Sequence, residues 1–260
     1  MSEIRSNRLR DSLTILWQSD RLAVIDKPAG LASIPGRGED DSAFERLARQ
    51  LGLPDRGDAD PRLRVVHRLD KHTSGVLLFA KDRAAQRHLS HQFQNNTTHK
   101  EYLALVRGRP AADEGEIDAP LAPHPNSPRF MAVAKHGGQP ARTGWRVEET
   151  FRELTLLRVV PKTGKTHQIR VHLRHIGLPL AIDPLYNAPR DGAAAGIFLS
   201  SFKRGYRASG TGERPLIDRL TLHAERLKFV NLDGVEVEVV SPLPKDFRAA
   251  LNMLRKYARR

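Results

Sequence analysis

The chain has 260 residues, of which 39% are apolar and 28% charged, a balance typical of a folded globular protein. Its formal net charge of +13 indicates a polyanionic partner, and nucleic acid is favoured over an anionic membrane surface. The absence of cysteine excludes disulfides, thiolate metal sites and cysteine nucleophiles. No run of about 18 apolar residues could cross a membrane, so we expect a cytoplasmic protein.

The first half of the chain alternates strand-like and helix-like segments. Apolar residues spaced three and four apart predict helices over residues 41–51 and 82–95, the second capped by Asp82. The polar stretch 54–61 between them is expected to be a loop. Strands are expected over residues 13–17, 22–25, 64–68, 75–80 and 101–106.

The second half predicts more strands than helices. A strand over residues 154–160 leads to a helix over 166–176, whose buried face would carry Ile169, Leu173 and Ile176. Four prolines make residues 119–138 loop-like. Strands over 220–230 and 235–240 would pair as a hairpin across Asp233 and Gly234. The whole pattern predicts an α+β fold with a mixed, largely antiparallel central sheet flanked by helices and loops.

The chain shows no repeats and no long linker, so one main domain is expected over residues 13–243. A short extension (1–12) would precede it, and a basic helix (244–260) would follow it. Within it, the irregular stretch 187–219 carries Lys203, Arg204 and Arg207 and is either a recognition insert or a disordered loop.

The most informative run is HRLDKHTSGVLLFAK, residues 67–81. It places one carboxylate, Asp70, in a turn with Arg68, Lys71 and His72, directly before a buried strand. Nearby positive charge keeps such a carboxylate ionised, and a fixed ionised carboxylate is a candidate nucleophile or general base. From its position alone, Asp70 could equally cap the turn or pair with Arg68.

A second run, PKTGKTHQIRVHL (161–173), is strongly cationic and enters the predicted helix. Arg170 and Arg174 are four residues apart and share a helix face, which suits RNA phosphates or a buried carboxylate; a solvated basic face is the plain alternative. The GKT at 164–166 resembles the end of a nucleotide-binding P-loop, but Val159 stands where that loop needs a glycine. No acid near the histidines of this run completes a metal site.

Together these runs resemble the RluA-type pseudouridine synthases. HRLDKHTSGVLLFAK is similar to the catalytic motif of that family, and TGKTHQIRVHL is similar to a later motif. The resemblance implies the catalytic fold of that family and isomerisation of uridine in rRNA or tRNA, without a cofactor or metal. Weaker matches follow in family order: DKPAGLASIPG (26–36), KEYLALVRG (100–108), DPLYN (183–187) and RLTLHAERLKF (219–229).

The resemblance also implies roles for single residues. Asp70 would be the catalytic aspartate, and Arg170 would be its charge partner. Tyr102, otherwise an ordinary core aromatic, would stack on the target base, and Leu222 would line the uracil pocket. Arg68 would insert into the RNA as the target nucleotide flips out. Further RNA contacts are expected from Lys71, Lys100, Lys165, His167, Gln168 and Arg174.

The chain departs from the family pattern in two places. Lys165 stands where arginine is more usual, and Ala181 and Ile182 replace the usual Gly-Asp before the DPLYN turn. Many relatives carry an N-terminal S4 RNA-binding domain, whereas about a dozen residues precede the first predicted strand here. RNA selection is therefore expected to depend on the catalytic domain.

Two other functions fit parts of the pattern. A base-excising N-glycosylase also needs a flipped base and an acid, and a non-catalytic RNA-binding protein would also be basic. A carboxylate in an RNA-binding cleft weakens the binding of a polyanion, which argues for chemistry at Asp70. We expect a monomer with RNA as its partner and no obligate protein partner.

Overall fold

The structure is a computed structural model and describes residues 12–36, 41–187, 196–206 and 212–259. The chain divides into two compact units. The first comprises Met1–Lys100 and Ala224–Pro242, and the second comprises Glu101–His223 and Leu243–Arg260. Each unit is thus assembled from two stretches of sequence. The predicted boundaries at residues 12 and 243 stay a prediction.

The described residues contain strands, four α-helices and one short 3-10 helix (Leu199–Ser201). The strands are β1 (Thr14–Gln18), β2 (Leu22–Lys27), β3 (Arg64–Val65), β4 (Ser74–Ala80), β5 (His99–Arg107), β6 (Glu114–Asp118), β7 (Leu121–His124), β8 (Ser127–Val133), β9 (Arg142–Thr150), β10 (Leu154–Pro161), β11 (Leu222–Val230) and β12 (Glu236–Val240). The α-helices are α1 (Ala43–Leu51), α2 (Arg83–Gln94), α3 (Gln168–His175) and α4 (Lys245–Tyr257).

The first unit is a sheet in the order β1-β2-β4-β11, with β3 on β4 and β12 on β11. Every residue of β4 is buried, as its unbroken apolar run predicts for a central strand. Helix α2 places Ala85 and Leu89 in the core, and its cap is confirmed because the Asp82 carboxylate accepts a hydrogen bond from the Ala85 N–H at 2.8 Å. The predicted β11–β12 hairpin is also present, with Gly234 at φ 78° in its turn.

The second unit holds the antiparallel order β5-β10-β9-β6 and a separate β7–β8 hairpin. Helix α4 is part of its core, where Phe247 and Leu251 are fully buried. Ile197 and Phe202, from the basic stretch 187–219, pack into the same cluster. Residues 188–195 and 207–211, which include Arg207, lie outside the described residues.

The prediction of a loop over residues 119–138 was wrong, because β7 and β8 form a hairpin there. The prediction took the prolines to exclude strands, because a proline has no N–H to donate to a neighbouring strand. In this two-stranded hairpin Pro123 faces Met131 next to a register shift, a place where proline is tolerated. Strands β6 and β9 were not predicted either.

Two predicted boundaries also differ. The strand over 64–68 ends at Val65, since the N–H of Leu78 donates to His67 Nε2 at 2.9 Å instead of to a strand carbonyl. Helix α3 begins at Gln168 and not at 166, because His167 adopts a left-handed φ of 54°. Ile176 follows the end of the helix and is 37% exposed, so its predicted burial was wrong.

We expect Gly75→Ala to disrupt the first unit. Gly75 has φ 118°, and a Cβ there would overlap the backbone carbonyl of Ala224 in the neighbouring strand. Strain and overpacking together should lower the free energy of unfolding by about 3 kcal/mol or more, measured by urea denaturation. Gly52→Ala is the matched control, because Gly52 also has positive φ but open space around it. Equal losses in the two variants would contradict the overlap argument.

Candidate active site

Asp70 lies in a turn whose backbone is held on both sides by the segment 28–33. Ser33 Oγ donates to the Leu69 carbonyl at 2.7 Å and accepts from the Leu69 N–H at 3.0 Å. The N–H of Gly30 donates to the Lys71 carbonyl at 2.9 Å. The residues before and after Asp70 are therefore fixed, and the half-buried carboxylate is carried by a rigid turn.

Lys27 supplies a third anchor for this turn. Its side chain is fully buried, and its ammonium donates to the carbonyls of Pro28, Leu31 and Lys71 at 2.9, 2.7 and 3.0 Å. An ammonium has three donors, so each can meet one carbonyl, which offsets the cost of burying the charge. In the sequence Lys27 was noted only within the run 26–36, and its anchoring role was missed. A lysine at the end of a buried apolar strand was the available signal.

We expect Lys27→Met to lower both stability and turnover. Three carbonyls would lose a donor, which should cost at least about 2 kcal/mol of unfolding free energy. The loosened turn should also reduce the isomerisation that the family resemblance implies for Asp70, while RNA affinity is kept. Urea denaturation measures stability, tritium release from C5-labelled RNA measures turnover and filter binding measures affinity. Lys81→Met is the matched control, because the Lys81 ammonium donates to the carbonyl of Ser19, far from this turn in sequence. Full turnover in Lys27→Met would contradict the anchoring role.

His67 supports the motif from within the first unit. Its ring stacks on Phe93 with centroids 4.4 Å apart, and its Nε2 accepts the Leu78 N–H. An accepting Nε2 requires a neutral ring with its proton on Nδ1. Burial lowers the pKa of His67 to about 3, and the Lys100 cation adds to this effect. Burial also lowers the pKa of Lys100.

The neutral ring of the half-buried His67 predicts acid sensitivity. The unfolded chain protonates His67 near pH 6.5 and the folded chain only near pH 3, so stability is full above pH 6.5 and is lost as the pH falls toward 3. The slope from His67 should reach about 1.4 kcal/mol per pH unit. Urea denaturation between pH 4.5 and 7 measures it. His67→Gln keeps an acceptor and should flatten the curve, although His172, whose pKa burial also lowers, adds to the remaining slope. An unchanged slope would contradict this assignment.

Arg170 forms a buried ion pair in the second unit. Its Nε and Nη2 donate to the two carboxylate oxygens of Asp183, both at 2.8 Å, and the side chains are 7% and 1% exposed. Asp183 also accepts the N–H groups of Leu185 and Tyr186 at 2.9 and 3.0 Å. The bidentate pair therefore fixes both Arg170 and the DPLYN turn. In the sequence this turn was noted only as a motif match, and Asp183 was not predicted to be the partner of Arg170.

Tyr102 and Leu222 meet in one apolar cluster of the second unit. Leu222 is buried, and the half-buried Tyr102 packs against the same cluster. Ile169, the neighbour of Arg170 on α3, belongs to it too. The second unit thus brings together the predicted aromatic platform, the apolar wall and the helix that carries Arg170. The predicted pairing of Arg170 with Asp70, which belongs to the first unit, stays a prediction.

The residues predicted to contact RNA differ in exposure. Arg68, Lys71 and Arg174 are exposed, whereas Lys100, Lys165 and His167 are half-buried. Gln168 is buried. Its amide nitrogen donates to the Arg142 carbonyl and to Thr143 Oγ1, and its Oε1 accepts from Thr163 Oγ1 and from the Lys165 N–H. Its observed role is thus to fix the turn before α3, while its predicted RNA contact stays untested.

Among the described residues, no helix is both long and apolar enough to span a membrane. No three histidine, aspartate or glutamate side chains in them lie close enough together to hold a metal ion.

Comparison with solved structures defines the class of protein. The human protein "RNA Pseudouridylate Synthase Domain Containing 4" matches with a TM-score of 0.70 and 26% identity, covering 97% of this chain and 96% of that one. The fold is therefore that of a pseudouridylate synthase, and the predicted α+β fold is confirmed. A family model described as "RNA pseudouridylate synthase" matches residues 21–175.

Curated relatives agree with this match. Ribosomal large subunit pseudouridine synthase D of Nitrosomonas europaea is 39% identical over 246 residues, which cover 94% of this chain and 65% of that protein. Ribosomal large subunit pseudouridine synthase C of Escherichia coli is 37% identical over 244 residues, which cover 93% and 70%. The chain belongs to the RNA pseudouridylate synthase family. The predicted isomerase class is confirmed at the level of the family.

Proposed function

We propose that this protein isomerises uridine to pseudouridine in large-subunit ribosomal RNA, with Asp70 as the catalytic group. The observation that carries the proposal is the anchoring of Asp70, whose neighbours Leu69 and Lys71 are bonded to Ser33, Gly30 and Lys27. Such rigidity is needed where a side chain acts on a reacting atom. The names of the curated relatives support ribosomal RNA over transfer RNA as the substrate.

The reaction makes few demands beyond positioning. The N1–C1′ bond of the uridine breaks, the uracil turns and a C5–C1′ bond forms. The C5 hydrogen leaves as a proton and N1 takes up a proton, so the reaction is an isomerisation and no electron donor or acceptor is consumed. Asp70 serves at the sugar or at the ring, and both assignments fit a carboxylate nucleophile or base. Taking the base out of the stack costs a few kcal/mol, least in unpaired RNA.

The remaining residues hold the flipped nucleotide. Arg68 fills the space that the base leaves, and Tyr102 and Leu222 enclose the detached uracil. Arg170 is the proposed source of positive charge for the reaction. The net charge of +13 fits RNA as the partner, and the protein works as a cytoplasmic monomer.

Tritium release from RNA labelled at uridine C5 tests this function. Large-subunit rRNA and bulk tRNA transcripts, both free of modification, are incubated with the protein. Release from the rRNA alone is expected. Release from tRNA alone would overturn the substrate assignment, and abasic sites without release would indicate the N-glycosylase. RNA binding without either product would favour the non-catalytic alternative.

A further inference from the structure

A groove in the second unit lies outside the residues assigned to the reaction. It has a volume of about 500 Å³ and runs between the β7–β8 hairpin and helix α3. This volume is in the range of sites that bind small ligands. Its lining includes His124, Phe130, Met131, Arg174, His175 and Tyr186.

The hairpin side of the groove is braced against α3. Tyr186 Oη accepts the N–H of Met131 at 2.8 Å and is 2.8 Å from Nδ1 of His167, the residue before the helix. At the base of the hairpin, His172 of α3 bonds the Ala119 carbonyl through Nε2 at 2.9 Å. The groove is therefore built by long-range contacts, and a ligand would meet walls that are already in place.

The groove combines aromatic rings with cations. Phe130 is half-buried and makes edge-to-face contacts with Tyr186 and His124, at centroid distances of 5.8 and 6.5 Å. Arg174 and His175 are exposed on the last turn of α3. No carboxylate occurs among the described residues that line the groove. Aromatic rings stack on bases and arginine binds phosphate, so this lining suits a nucleotide.

The groove adjoins Arg170 within the same unit. The guanidinium carbon of Arg170 lies 4.9 Å from the centroid of the Tyr186 ring, and Tyr186 also lines the groove. One aromatic side chain therefore contacts both the residue proposed to support catalysis and the groove. A nucleotide bound in the groove would therefore lie close to Arg170.

We propose that this groove binds a nucleotide flanking the target uridine, with its base on Phe130 and its phosphate on Arg174. The proposal rests on the proposed function, because it takes the RNA substrate as the occupant. It assigns to the hairpin and the end of α3 a role in selecting unpaired sequence around the target. Neither Phe130 nor the hairpin was singled out by the sequence.

The test measures binding of a large-subunit rRNA transcript in an Asp70→Asn background, so that bound RNA is not converted. Phe130→Ala should weaken binding about tenfold, the effect of losing one stacked base, and Phe130→Tyr should restore it. Arg174→Gln should weaken binding and lower the salt dependence by about one phosphate contact. Arg87→Gln, on the exposed side of α2, is the matched control and should change binding less. Circular dichroism confirms that each variant is folded.

Crosslinking identifies the occupant directly. Transcripts containing 4-thiouridine should crosslink to peptides that contain Phe130 or Arg174, and Phe130→Ala should remove the crosslink. Unchanged affinity in both groove variants, or crosslinks only elsewhere, would overturn the proposal. Protection of the groove by free uridine monophosphate, without RNA crosslinks there, would also overturn it and indicate a metabolite site. Tritium release by the unmodified protein is scored separately, so failure of the proposed function is distinguishable from failure of the groove.

Discussion

Asp70→Asn is expected to abolish isomerisation and to leave RNA binding and folding intact. Asparagine keeps the size of the side chain but cannot act as nucleophile or base. Loss of a group that acts on the reacting atoms should lower turnover about 10⁴-fold. The turn should persist, because its anchors at Leu69 and Lys71 use backbone atoms and not the carboxylate. Tritium release from C5-labelled rRNA measures turnover, and filter binding measures affinity.

Asp82→Asn is the matched control for this experiment. Asp82 caps α2 and pairs with Arg21, whose hydrogen bond lowers the pKa of that carboxyl to about 2. Asparagine is also a good helix cap, so the substitution should lower stability only modestly and leave turnover unchanged. Unfolding of Asp70→Asn would show that Asp70 is a structural residue. Activity within tenfold of the wild type would show that the Asp70 carboxylate is not the catalytic group.

Elements with local signals were predictable from the sequence. The unbroken apolar run of β4, the cap of α2 and the Asp233-Gly234 turn each depend on a few adjacent residues, and the structure has all three. The β7–β8 hairpin was not predicted, because a proline in the sequence usually indicates the end of a strand. Whether a strand tolerates a proline depends on which strands pair with it. Strand β9 alternates apolar and charged residues from Trp145 to Glu148, a strand signal that was missed. Its pairing with β6 and β10 depends on tertiary structure.

The candidate site likewise has residues that the sequence predicted and partners that it did not. Asp70 was singled out by its motif, and Tyr102 and Arg170 by the resemblance to one family; the roles of all three stay predictions. The hydrogen-bond and ion-pair partners that fix these site residues were not predicted. The bond from Lys27 to the Lys71 carbonyl spans 44 positions, and the Arg170–Asp183 pair spans 13. Neither separation along the chain follows from the repeat of a helix or a strand. The partners that hold the site residues in place are therefore identified only by the tertiary structure.

The Arg170–Asp183 pair gives the second large effect. Arg170→Met should lower the free energy of unfolding by about 3–5 kcal/mol, because it leaves the Asp183 carboxylate buried without its partner. Arg219→Met is the matched control: Arg219 makes a similar bidentate pair with Asp246, whose side chain is 39% exposed, and its loss should cost about 1 kcal/mol or less. Urea denaturation measures both variants.

A double variant separates the structural role of Arg170 from its proposed catalytic role. Asp183→Asn removes the orphaned charge while its side-chain oxygen can still accept the N–H groups of Leu185 and Tyr186. Arg170→Met with Asp183→Asn should therefore recover much of the lost stability. Turnover should stay low, because the guanidinium proposed to support catalysis would be absent. Recovery of turnover together with stability would show that Arg170 acts only as a structural partner of Asp183.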